Sequence, residues 1–265
     1  WSYPSATADG TDPAQARRPD FWGTVHVQAL TTRQEDLLGI LGGLGPLASA
    51  EFLKTIYEYS PSTCEQEYPR VVMYSDPTFP DRTETLLAGF DELLLVPLVE
   101  ALRHLEQLGA NRIVICCVTL HHLLPQLPPG LRSRIWSLLD VVFEQVIESQ
   151  QRHLLLCSTG TRQLGAFQLH PQWAAAHHLF VLPDDDDQQL IHGLIYQIKK
   201  NDDVGRLIPI IDTLLSKYRV NSFIAGCTEF HLLAKHFRGN DGERGCIDPL
   251  SIIAREVKKE SICNM

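Results

Sequence analysis

The feature that most narrows what this chain can fold into is an alternation that starts at Leu37. Short apolar runs of strand length are each followed by a longer segment with apolar residues three and four apart. The first spacing asks for strands, the second for helices packed by one face. Strands are expected over Leu37–Gly42, Arg70–Ser75, residues 112–117, His153–Cys157, residues 178–182 and residues 222–225. Helices are expected from Pro46 to about Tyr59, over residues 87–108, 131–151, 161–170, 188–199 and 204–218, from about Glu229, and over residues 250–260. Strand after helix after strand implies a parallel α/β sheet joined by crossovers. The run at 112–117 is almost wholly apolar, as a strand covered on both faces should be. The acidic run at 184–187 reads as a helix start or a solvated loop.

Residues 1–36 stand apart. Trp1, Phe21 and Trp22 lie among turn formers without any period, so the stretch reads as an extension: a poorly ordered tail, an added docking arm or a remnant of preparation. It is assigned no chemistry. The remaining length suits one large domain or two small α/β lobes.

The formal net charge of −9 argues against a nucleic-acid partner, which needs a dominant cationic surface. No apolar run is long enough to span a bilayer and no signal peptide is evident, so no membrane role is expected. The seven cysteines (64, 116, 117, 157, 227, 246 and 263) are an odd number without the dense spacing of a disulfide scaffold. Reduced thiols in a cytoplasmic setting fit better.

Two of those cysteines repeat one another's surroundings. Ile115-Cys116-Cys117-Val118-Thr119-Leu120-His121 closes one expected strand, and Ala225-Gly226-Cys227-Thr228-Glu229-Phe230-His231 closes another. Each has a thiol at the carboxyl end of an apolar strand and a histidine four residues on. Ligands of open α/β sheets bind beyond that end. The first strands of the two halves echo as well, running into Gly42-Gly43-Leu44-Gly45-Pro46 and Ser158-Thr159-Gly160-Thr161. Small-residue turns that open helices can offer N–H groups to a carboxylate. The pattern suggests two similar lobes facing each other across a cleft: residues 37–130 with 249–265, and residues 131–248. Paired thiols across a cleft suit a racemase, where one group removes the Cα proton as a thiolate while its partner returns one from the other face. An ordinary thiol pKa of about 8.5 can be lowered by helix N-termini and cations.

These residues resemble the aspartate/glutamate racemase family, its aspartate racemases most of all, from about Leu38 to Lys259. The segment from Gly39 through Gly42-Gly43-Leu44-Gly45-Pro46 matches the family's opening, where methionine is usual at Leu44. Pro80-Asp81-Arg82-Thr83 matches its arginine loop, and Gly226-Cys227-Thr228-Glu229 its second cysteine motif, where glutamate racemases usually carry histidine at the place of Glu229. Thr159-Gly160-Thr161 and Asp248-Pro249 also fit. The resemblance implies a pseudosymmetric two-lobe α/β fold, each lobe a mostly parallel sheet flanked by helices, with the active site in the cleft. It further implies racemisation of a small acidic amino acid without pyridoxal phosphate, metal or other cofactor, commonly by a homodimer.

By position, Cys117 and Cys227 would be the two bases, and Arg82 would hold a substrate carboxylate through its fork. Gly45, Pro46, Thr119, Ser158, Thr159, Gly160 and Thr161 would hold the α-carboxylate and the charge that develops on it. Thr228 and Glu229 would also face the substrate, and His121 and His231 could orient the thiols. Three departures bear on specificity and rate. Val118 stands where asparagine is usual, Leu120 where a small residue is common, and Gln168 or Leu169 where a second-half lysine is often found.

Other readings have weaker support. A zinc site from Cys116, Cys117, His121 and His122 lacks the C-x-x-C spacing of structural sites. A non-catalytic amino-acid-binding module leaves the paired cysteines unexplained. A Cys–His hydrolase lacks a third orienting residue. Glutamate racemase, hydantoin racemase and maleate isomerase are the alternatives within the family's wider chemistry. The other cysteines (64, 116, 157, 246 and 263) read as core or surface residues.

Overall fold

A computed structural model describes residues 37–60, 62–201, 203–237 and 244–263, the side chains of 258–263 excepted. The extension at 1–36 lies outside the described residues. Two parallel sheets carry the fold. In the first, β1 (Leu37–Gly42) lies between β2 (Arg70–Ser75) and β3 (Arg112–Ile115). Leu38 is in register with Val71 on one side and Arg112 on the other. α1 (Pro46–Tyr59) follows β1, and α2 (Arg82–Leu87) and α3 (Glu92–Gln107) connect β2 to β3. After α4 (Pro129–Arg132) and α5 (Leu138–Ser149), the second sheet starts with β4 (His153–Cys157). Then come α6 (Thr159–Gln163), α7 (Trp173–Ala176), β5 (Phe180–Val181), α8 (Asp185–Lys199), α9 (Ile208–Tyr218), β6 (Ser222–Gly226) and α10 (His231–Ala234). β7 (Gly245–Ile247) and α11 (Pro249–Cys263) complete it. The strand order is β5-β4-β6-β7, with Cys157 level with Gly226.

Strand parity distributes the apolar residues. Leu38, Ile40, Val114, Leu155 and Ile224 point into one core shared between the sheets, where Phe52 and Ile56 of α1 meet Phe143 of α5 and Leu250 and Ile253 of α11. The opposite faces pack outward, Ile113 and Ile115 against α3 and Phe223 and Ala225 against α8 and α9. Cys117 and Cys227 both continue the outward parity, whereas Cys116 turns into the shared core. The two adjacent thiols thus face opposite sides of the first sheet.

Several expected elements are cut short, each for a local reason. The helix expected over 87–108 begins only at Glu92, and Leu87 instead ends a separate short helix, α2, outside the expected span, because Gly89 takes φ +76° and closes it. The Phe90 N–H bonds the Thr85 carbonyl and the Gly89 N–H bonds that of Leu86, a left-handed cap that suits glycine. Gly165 at φ +65° ends α6 in the same way, well before residue 170. The stretch expected as helix over 131–151 opens with only the single turn of α4. Arg134 and Trp136 then pair with Ile113, and Ser137 caps the true start of α5. The strand expected over 112–117 ends at Ile115, and that over 178–182 shrinks to Phe180–Val181. β7 was not expected: three residues are too few for a period to register. The acidic run starts α8, with Asp184 accepting the Asp187 N–H.

Candidate active site

The two cysteine turns meet at one cleft. After β3, Cys116 makes a last bond to Leu41 and the Cys117 N–H folds back onto the Ile115 carbonyl, 2.7 Å, which turns the next thiol to the sheet's edge. Cys227 follows β6 directly and precedes a tight helical turn at Thr228–Phe230. Cys117 and Cys227 are 7% and 8% exposed. The cleft that contains both is also lined by Leu44, Asp81, Arg82, Thr83, Thr119, Ser158, Tyr196, Lys199 and Glu229.

Charge is unevenly divided across it. On the Cys117 side, the Arg82 guanidinium bonds the Leu44 carbonyl at 2.8 Å and the Pro80 carbonyl at 3.1 Å, which fixes its fork. Burial would lower its pKa, yet Cys117, Asp81 and Glu229 outweigh burial and hold the guanidinium above its usual range. Arg82 is the first residue of α2, whose N-cap is Asp81. On the Cys227 side, the thiol donates to Glu229 Oε2 at 2.8 Å. Burial first, then the Glu229 carboxylate, push the Cys227 thiol well above its ordinary value, against a smaller pull from Lys199. Glu229 is itself only 2% exposed.

Three hydroxyls close one end. Thr119 Oγ1 lies 3.2 Å from Ser158 Oγ and 2.9 Å from Thr161 Oγ1, and those two are 3.0 Å apart. Three N–H groups of the small-residue turns are bonded within the chain. The Gly43 N–H donates to Ser49, the Thr159 N–H to His192 and the Thr161 N–H to Ser158. Gly43 adopts φ +84° against the Asp76 backbone, so only glycine fits there. Gly45 lies against Glu229, and a Cβ on it would be 2.6 Å from Oε1. Pro46 is exposed at the start of α1. Thr228 sits behind the cleft, where its hydroxyl donates to the Cys116 carbonyl, 3.1 Å, across the two sheets.

The histidines also stand behind the thiols. His121 Nε2 accepts the Leu138 N–H at 3.0 Å, so the ring is neutral and its Nδ1 donates to the Cys117 carbonyl at 3.0 Å. Burial pushes its pKa down to about 4. His231 is enclosed, bonded to Asp248 at 2.7 Å and to Thr55 at 3.1 Å. His121 thus braces the main chain of the Cys117 turn, while His231 ties the start of α10 to the side chains of Asp248 and Thr55.

One face of α8 was missed in the sequence. Tyr196 and Lys199 line the cleft, and His192 meets Tyr196 edge-on with ring centroids 4.8 Å apart. The Tyr196 hydroxyl donates to Asp81 Oδ2 at 2.7 Å, bridging the halves, and Lys199 Nζ lies 3.9 Å from Glu229 Oε1. A lysine therefore does reach the cleft from the second half, although none stands at 168 or 169, and Leu169 is exposed. The signal was a polar stripe at 192, 196 and 199 on a helix whose other face is Ile191, Leu194, Ile195 and Ile198. Among the described residues, no three His, Cys, Asp or Glu side chains are placed to hold a metal ion, and no helix is long and apolar enough to cross a membrane.

A two-lobe α/β frame with a thiol from each sheet at one cleft defines a class, and comparison with known proteins places the chain within it. Residues 41–257 match the family model described as Asp/Glu/Hydantoin racemase, so the chain belongs to the Asp/Glu/hydantoin racemase family. The broad specificity amino-acid racemase RacX of Bacillus subtilis (strain 168) is 21% identical over 210 residues, covering 76% of this chain and 89% of the relative. Among solved structures, the aspartate racemase of Picrophilus torridus aligns with a TM-score of 0.72 at 22% identity, covering 85% of this chain and 94% of its own. A glutamate racemase from Campylobacter jejuni subsp. jejuni aligns with a TM-score of 0.52 at 16% identity, covering 84% and 85%. The protein is thus a racemase-family isomerase acting on small molecules.

Proposed function

We propose that the chain interconverts L- and D-aspartate, without a cofactor, by proton transfer between Cα and two thiols. The observation that carries this reading is the pair of thiols at one cleft, one beside Arg82 and the other hydrogen-bonded to Glu229. In the arrangement at hand, Cys227 holds a proton and donates it, so it is the acid; Cys117 is the base that takes the Cα proton. The roles exchange for the other enantiomer. Arg82 and Lys199 supply two cations for the two carboxylates of an acidic amino acid, and the α-carboxylate gains charge as the proton leaves. The Thr119, Ser158 and Thr161 hydroxyls donate to that charge at the closed end. Gly45 and Gly160 shape the walls through Glu229 and Thr83, Pro46 starts α1 beside them, and Thr228, His121 and His231 hold the loops.

A homodimer belongs to the same reading; Leu87, Phe90, Leu93 and Val96, exposed along α2 and α3, supply an apolar face for it. The test is incubation of the protein with L-aspartate and L-glutamate separately in deuterated water, with no added cofactor. Chirality and Cα deuterium are then read together. Deuterated D-aspartate supports the proposal. Inversion of glutamate alone, or of several neutral amino acids as the Bacillus subtilis relative's name would suggest, moves the substrate assignment. Absence of Cα exchange with any amino acid overturns the racemase role.

A further inference from the structure

Glu229 presents an unusual vacancy of partners. Its carboxylate is 2% exposed, Oε2 accepts the Cys227 thiol, and Oε1 has no hydrogen-bond partner. A buried carboxylate oxygen without a donor carries a desolvation penalty that a bonded one does not. Two neighbours show why nothing in the chain fills the place. Gly45 closes one side so tightly that even a methyl group would collide with Oε1, so no side chain reaches it from there. Lys199 Nζ forms an ion pair with Oε1 at 3.9 Å, but stops beyond hydrogen-bond distance and donates nothing to it. The missing donor therefore has to come from whatever enters the cleft, and a cation bonded to a carboxylate is the stronger partner.

Resting on the racemase reading above, we infer that Glu229 is the acceptor for the substrate's α-ammonium and makes the site selective for free amino acids over ring-closed amides such as hydantoins. An ammonium brings a positive charge and three N–H donors. The hydantoin nitrogen that takes the amine's place is neutral, keeps a single N–H donor and adjoins a carbonyl, so it brings no charge to the carboxylate. The same contact serves the chemistry: an amino group kept protonated withdraws electrons from Cα and makes its proton easier to remove. It also orders the cleft by sign, since the substrate's carboxylates fall to Arg82 and Lys199 and its ammonium to Glu229.

Binding is read on the full chain as protection of Cys117 from iodoacetamide, mapped by mass spectrometry, with aspartate and with succinate, the same diacid lacking the amine. Aspartate is expected to protect at about a tenfold lower concentration than succinate, and hydantoin-5-acetate no better than succinate. Glu229→Gln keeps an oxygen for the Cys227 thiol and removes the charge, so the aspartate advantage should shrink to about threefold or less. Equal protection by aspartate and succinate in the native chain overturns the inference without any variant, as does no protection by aspartate. An undiminished aspartate advantage in Glu229→Gln overturns it too. Cα deuterium exchange, measured in parallel, reports the racemase reading separately: exchange without amine preference sinks only the role of Glu229.

Discussion

The Cys117 and Cys227 turns are built alike and furnished differently. Each thiol follows a parallel strand, keeps the outward strand parity, precedes a short helical turn and has a histidine four residues later. Around Cys117 the nearest charge is the Arg82 guanidinium, and the histidine is neutral, bonded to main chain on both nitrogens. Around Cys227 the nearest charge is a buried carboxylate, and the histidine is paired with Asp248. Repetition of the frame puts the two sulfurs at one cleft. The charged side chains around the two sulfurs do not repeat.

The strongest way to break the comparison is to remove one sulfur. Cys117→Ala or Cys227→Ala should each lower racemisation by roughly 10²–10⁴-fold, measured as loss of optical activity. Either variant should keep solvent exchange at Cα for one enantiomer only, and opposite enantiomers for the two variants. Exchange of the same enantiomer by both would show that the thiols are not on opposite faces.

Acid should act on the brace of the Cys117 turn next. The folded pKa of His121, about 4, lies below the unfolded value of about 6.5, so the unfolded chain takes up the proton first as pH falls. The stability it contributes is therefore complete above about pH 6.5 and lost as pH falls toward 4, roughly 3 kcal/mol. His153, also held near 4 by burial, acts in the same direction. Thermal melts from pH 7 to 4 should show this slope, and His121→Asn should flatten it. An unchanged slope would mean that His121 is not the neutral brace of the Cys117 turn.

Arg82→Lys sharpens the contrast more gently. A lysine cannot bond the Leu44 and Pro80 carbonyls together while facing the cleft, so kcat/KM should fall about tenfold or more. The smallest effect is expected from Thr228→Val, which removes the bond to the Cys116 carbonyl that links the two turns. About 1 kcal/mol of stability should be lost, read from denaturant midpoints, with Cα exchange still present for both enantiomers.

Much of this was legible in the chain. The alternation from Leu37 announced the parallel sheets, and the repeat around Cys117 and Cys227 announced the cleft, because strand periodicity and turn residues are local. Helix ends at Gly89 and Gly165 were less so, since a positive φ leaves no mark on hydrophobic spacing. The α8 contribution needed the folded chain: Tyr196 and Lys199 are 115 and 117 residues from Asp81 and Arg82, and only packing brings them together. The use of the turn N–H groups by His192 and Ser158 was equally invisible, because it depends on which partner arrives first in space.

Gly160 shows what such closeness entails. A Cβ there would be 2.7 Å from Thr83 Oγ1 and 3.0 Å from the Thr83 main chain. Positions 83 and 160 therefore cannot mutate independently: a methyl group gained at 160 is a wedge between two halves of the protein, and shortening the side chain at 83 relieves only part of it. Each half is free to vary in its own core, but along this seam the fitness of a change in one is written in terms of the other. Epistasis should be steepest here.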